Sequence, residues 1–111
     1  MVALAPDILL RAYAGGVFPM AESRDDQNLF WVDPETRGIL PLEQFHVPQR
    51  LARTIQRKPF EIRITTAFRQ VMEGCAQPRA NADGTWINDE IIALYCGLSE
   101  SGAAHSIECR S

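Results

Sequence analysis

Six cationic side chains fall within one short stretch: Arg50, Arg53, Arg57, Lys58, Arg63 and Arg69. Between residues 46 and 69 they meet a single acid, Glu61, for a net +5. Residues 1–45 carry seven acids and three bases, and residues 70–109 six acids and one base. The formal total of −3 therefore hides a basic island. Such a cluster can neutralise phosphates and release their condensed counterions, the electrostatic half of nucleic-acid binding. The bland alternative is a solvated helix face. Trp31, Trp86 and Tyr95 offer the other half: flat rings on which an unpaired base, above all a free 3′ end, can stack. Core packing is the competing use of such rings. Neither feature by itself names a substrate.

Other chemistry is weakly signalled. The chain has no G-x-G-x-x-G, P-loop, H-E-x-x-H or G-x-S-x-G. His105 and Ser106 stand close to Glu108, but neighbours on a strand point to opposite faces, so adjacency is not a catalytic geometry. A structural role is expected for this group, and likewise for His46, whose sole possible histidine partner is His105. Cys75, Cys96 and Cys109 are an odd number without a CxxC pair, which argues against a disulfide framework and a four-ligand zinc site. They read as reduced, mostly buried thiols.

The elements that must position these residues follow from periodicity and punctuation. Pro6-Asp7 opens a helix over about Asp7 to Ala14, and Gly15-Gly16 stops it. From Val17 to Pro41 the chain reads as loop, broken by Pro19, Pro34, Gly38 and Pro41. Pro48 sits at the first turn of a second helix, which carries the basic cluster and ends at Pro59. Phe60, Ile62 and Ile64 alternate with Glu61 and Arg63 as in a half-buried strand. A third helix after Thr65-Thr66 uses Phe68, Val71, Met72 and Cys75, and Arg79 to Gly84 reads as a surface loop. Asn88 caps a fourth helix whose apolar face is Ile91, Leu94, Tyr95 and Leu98. Ala104 to Cys109 begins a strand.

This order predicts an α/β or α+β fold with too few strands to close a sheet. The chain's 111 residues suffice for one ordinary domain, and its 46% apolar and 23% charged residues are typical of globular proteins rather than disordered ones. No apolar run approaches the roughly 20 residues of a membrane span, and no signal peptide opens the chain, so a cytoplasmic location without membrane contact is expected. On folding arithmetic the sequence reads as the front part of a longer protein.

Longer strings carry a more specific signal: LLRAYAGGVFPM (Leu9 to Met20), LFWVDPETRGILP (Leu29 to Pro41), FHVPQRLART (Phe45 to Thr54), TWINDEIIALY (Thr85 to Tyr95) and GAAHSIEC (Gly102 to Cys109). In these blocks, their order and their approximate spacing, the sequence closely resembles the N-terminal half of the bacterial leucyl/phenylalanyl-tRNA–protein transferase family. The resemblance implies an aminoacyltransferase of the N-end-rule pathway. Such enzymes move leucine or phenylalanine from aminoacyl-tRNA to proteins with N-terminal arginine or lysine, without metal or acetyl-CoA. It implies a small N-terminal domain, here residues 1–45, then the beginning of an acetyltransferase-like (GNAT-type) catalytic domain from residue 46 to 111. The matching Trp31, Trp86 and Tyr95 are then expected at the aminoacyl-adenosine end, and Arg50, Arg53, Arg57 and Lys58 on the tRNA. The family's catalytic acid and amide residues lie beyond the equivalent of Ser111, so little or no transfer activity is expected of this stretch alone. Two departures are visible. Cys109-Arg110-Ser111 stands where the family generally has a valine-like residue and then tryptophan, and Met20 stands where many members have tryptophan. A noncatalytic RNA-binding module and a nonfunctional gene fragment are the alternative readings.

Overall fold

The computed structural model describes residues 4–77 and 84–111. The expected loop from Arg79 lies outside them except for Gly84. Helix α1 spans Pro6–Ala14, strands β1 and β2 are Phe18–Ala21 and Leu29–Val32, and α2 is Gln49–Gln56. Then come β3 (Glu61–Ile64), α3 (Phe68–Cys75), α4 (Asp89–Glu100) and β4 (Ile107–Arg110). Among the described residues the strands make two separate antiparallel pairs, β1 with β2 and β3 with β4. The mixed helix-and-strand class expected from the sequence is the one observed.

Helix α4 is the centre of the packing. Asn88 caps it by accepting a hydrogen bond from the Ile91 amide at 2.9 Å, while Asp89 and Glu90 occupy the positive end of the helix dipole. Its buried residues look in two directions. Ile91, Ile92 and Cys96 join Ala21, Ala76 and Ile87 in one apolar cluster, with Phe68 and Met72 packed against it. Leu94 and Leu98 meet Leu9 of α1 in a second. Ile92 and Cys96 lie outside the single face expected from the sequence because α4 is flanked by both α1 and α3. Close approach of α1 depends on Gly97, where a Cβ would stand 2.5 Å from Pro6 Cγ.

Both α1 and α4 end in the same way. The Val17 amide bonds to Ala12 O and Gly16 to Tyr13 O, just as Ala103 bonds to Leu98 O and Gly102 to Ser99 O. This double closure needs a left-handed residue, supplied by Gly16 at φ +84° and Gly102 at φ +85°.

Several expectations need correction. The segment from Val17 to Pro41 is not all loop: it contains the β1–β2 hairpin, with Phe18 opposite Val32 and Ala21 opposite Leu29. Pro19 obscured β1 in the sequence, yet a two-stranded sheet has only edge strands, where proline is tolerated. Strand β3 is not half-buried. All four of its residues are exposed, because β4 pairs along one edge and no described residue covers its apolar face. Of the three free thiols only Cys96 is buried. Cys75 is exposed at the end of α3 and Cys109 on the open ribbon.

Candidate functional site

Helices α1, α3 and α4, the β1–β2 hairpin and the segment just before α4 converge on a cleft of about 880 Å³. Helix α4 presents Tyr95 and α1 presents Tyr13; Met20 and Phe30 come from the hairpin, Met72 and Cys75 from α3. Trp86 precedes α4, and its backbone is fixed because its carbonyl accepts the Ala21 amide of β1 at 2.9 Å. The cleft floor is thus continuous with the core: Ala21 and Ile87 line it and are themselves buried.

Tyr13 and Tyr95 face each other at the cleft. Their hydroxyls are hydrogen-bonded, and the rings meet edge-to-face with centroids 6.1 Å apart. Burial raises the Tyr95 phenol above its ordinary value, and the hydrogen bond and charge of Tyr13 push it the same way. The Tyr95 hydroxyl therefore keeps a proton to donate or share at neutral pH and is no base. Behind Tyr13, Phe18 lies 6.4 Å away ring to ring, and the Arg37 guanidinium sits 5.5 Å above Phe18 while donating to the Gly16 carbonyl at 2.5 Å. Exposed Tyr13, Phe30 and Trp86 with half-buried Met20, Met72 and Tyr95 make walls, hydroxyl-bearing at one end, that suit a flat, partly polar ligand. Among the described lining residues Glu22 is the one carboxylate. Among the described residues, no three His, Cys, Asp or Glu side chains gather to hold a metal ion.

Trp86 and Tyr95, singled out in the sequence, thus share the cleft. Trp31 is not among its lining residues; its neighbour Phe30 is. Successive strand residues face opposite ways, so one of the pair had to turn away. Tyr13 falls within the helix expected over Asp7 to Ala14, but nothing in the sequence marked it as a site residue. Its partner is 82 positions away, and no local pattern signals such a pairing.

The cationic residues lie elsewhere. Arg50, Arg53 and Arg57 recur at i, i+3 and i+7 along α2 and its C-cap, and Lys58 follows in a left-handed conformation at φ +50°. All four are exposed, and among the described residues none is in an ion pair. Their charge is open to an anionic partner. The Ser106–Glu108 group proves to be a helix anchor. Glu108 is 9% exposed and accepts from Ser106 Oγ at 2.6 Å, from the Thr66 amide at 2.9 Å and from the Thr66 hydroxyl, just ahead of α3. His105 Nδ1 is 3.0 Å from Thr65 Oγ1. These contacts join the β3–β4 ribbon to the start of α3.

Comparison with known proteins decides the family. The model of the leucyl/phenylalanyl-tRNA protein transferase family matches residues 39–111, and that of its N-terminal domain matches residues 3–35. The chain belongs to this family. A leucyl/phenylalanyl-tRNA–protein transferase of Paramagnetospirillum magneticum is 57% identical over 105 residues, covering 95% of this chain and 50% of its own. Proteins of the same name from Nitrobacter winogradskyi and Rhodopseudomonas palustris are each 53% identical over 105 residues, with 47% and 46% of their lengths matched. The chain spans about half the length of these curated relatives. The family resemblance read from the sequence blocks is therefore correct. No helix among the described residues is long and apolar enough to cross a membrane.

Proposed function

We propose that this chain forms the tRNA-binding half of an aminoacyltransferase that moves leucine or phenylalanine from tRNA to proteins beginning with arginine or lysine. In this reading Trp86 and Tyr95, with Tyr13 behind Tyr95, hold the terminal adenosine and its ester, and Trp31 flanks them. Arg50, Arg53, Arg57 and Lys58 take the phosphates. Residues 1–45 act as a small N-terminal domain, and residues 46–111 begin a GNAT-like domain. The carrying observation is the meeting of Trp86, Tyr95 and Tyr13 in one open cleft rooted in the core.

The reaction is aminolysis. A neutral α-amine attacks the ester carbonyl, the ribose hydroxyl leaves, and the amine's proton must be taken up. The hydroxyls of Tyr13 and Tyr95 can orient the ester, and holding two ends together supplies much of the rate through positioning. Burial keeps the Tyr95 phenol protonated, so it is not the group that takes this proton.

Binding of fluorescent leucyl-tRNA, read by anisotropy against salt, tests the proposal. Affinity should fall steeply as salt rises. Arg53→Glu should weaken binding of charged and uncharged tRNA alike; Trp86→Ala should chiefly remove the preference for the charged form. Parent-like binding by both variants would overturn the assignment.

A further inference from the structure

One acid stands on the wall of the cleft. Glu22 directly follows β1, two residues beyond Met20, and both line the cavity together with the rings of Phe30, Trp86 and Tyr95. The backbone there is fixed by its neighbour: Ala21 is buried and donates its amide to the Trp86 carbonyl at 2.9 Å. Glu22 is thereby tied to the Trp86 side of the cleft.

Among the described residues its carboxylate has no ionic partner. Arg24, the nearest base in sequence, is bonded to Asp89 at 2.6 Å, and the other ion pair joins Arg63 to Glu61. The basic residues of α2 do not line the cleft. What remains is an open carboxylate beside exposed rings, Phe30 and Trp86. That combination is a receptor for a cation, because the carboxylate accepts charge-assisted hydrogen bonds and each ring face adds cation–π attraction. A phosphate would be repelled by it.

We propose that Glu22 holds the protonated α-amine of the amino acid esterified to tRNA. The inference rests on the reading of the cleft as the site of the aminoacyl end. Esterification consumes the amino acid's own carboxylate, so the bound residue arrives as a cation with no internal counterion. Uncharged tRNA brings no such group. The acceptor protein's α-amine has the same chemistry but the opposite requirement: it must be neutral to attack, and a neighbouring carboxylate favours the charged form. Glu22 therefore suits the amine that must not react, and it selects aminoacylated tRNA over the uncharged form.

Anisotropy with leucyl-tRNA, N-acetyl-leucyl-tRNA and uncharged tRNA tests this, since acetylation removes the cation but keeps the ester and the side chain. The 111-residue chain should prefer leucyl-tRNA over its N-acetyl form by about fivefold or more, the size expected of one charge-assisted contact. Glu22→Gln should bring that ratio to within about twofold of unity. It should not weaken binding of uncharged tRNA, because loss of an acid favours phosphate. Asp25→Asn removes an acid outside the cleft lining and should keep the parent's ratio. A peptide beginning with arginine and its N-acetylated form make the second arm, and Glu22→Gln should leave their relative binding unchanged. Equal affinity of the parent for the two leucyl-tRNAs, or a parent-like ratio in Glu22→Gln, would overturn the proposal. Equal weakening of all three RNAs by Glu22→Gln would show a structural role and overturn it too. A loss confined to the free-amine peptide would overturn it in favour of the acceptor. The tRNA reading is judged separately, by the parent's salt-dependent binding of uncharged tRNA, and absence of any binding overturns both.

Discussion

Helix α4 and the β3–β4 ribbon are both apolar in sequence, yet their isoleucines have opposite fates. Ile91 is completely buried between the hairpin and α3, whereas Ile64 is 65% exposed. The same residue type is thus a core element in one place and an open surface in the other. Periodicity reports which residues share a face, but a neighbouring element must supply the burial.

Equal truncations in the two regions should separate them most strongly. Ile91→Ala should cost about 2–5 kcal/mol, a large part of a small domain's stability, whereas Ile64→Ala should change it by less than about 0.5 kcal/mol. Thermal and urea unfolding of both variants checks this; similar losses would mean that the ribbon is packed in solution. Gly97→Ala comes next. Alanine favours helix, but its methyl would collide with Pro6, so a net loss of about 1–3 kcal/mol is expected in the same measurement. Asn88→Ala removes the cap on Ile91 and the 2.8 Å bond from Asn88 Nδ2 to the Asp26 carbonyl, with an expected loss of about 1–2 kcal/mol.

The smallest effect belongs to the ribbon's anchor. Hydrogen bonds from Ser106 first, then the Thr66 side chain and the amides of Thr66 and Ala67, hold the Glu108 carboxyl below its ordinary value of 4.5. A carboxyl depressed on folding contributes stability that is present above the ordinary value and lost as pH falls through the depressed one. Hydrogen exchange of the β3 and β4 amides should therefore quicken below about pH 4.5 in the parent, relative to the intrinsic rate. Glu108→Gln should exchange faster already at pH 7 and lose most of that added acid sensitivity. An unchanged profile in the variant would show that the ribbon is held by something else.

The cleft shows the same division between local and distant information. Asn88-Asp89-Glu90 announces α4, and the 3/4 spacing beyond it places Tyr95 on the helix's apolar side. Trp86 was legible as a ring with two possible uses. That Tyr13 joins Tyr95, that Phe30 rather than Trp31 lines the cleft, and that Ser106 and Glu108 anchor α3 all depend on contacts between residues far apart in the chain or on strand pairing. The hairpin stayed hidden because Pro19 and two four-residue strands give almost no alternation to read.

The amino-acid sequence alone determined the helices, their caps and stops, the basic island on α2 and the family, because each is written in residue type and short-range spacing. Tertiary structure decided which faces are covered and which rings meet. Burial and pairing are properties of two segments at once, and among the described residues α4 found its partners while the apolar face of β3–β4 did not.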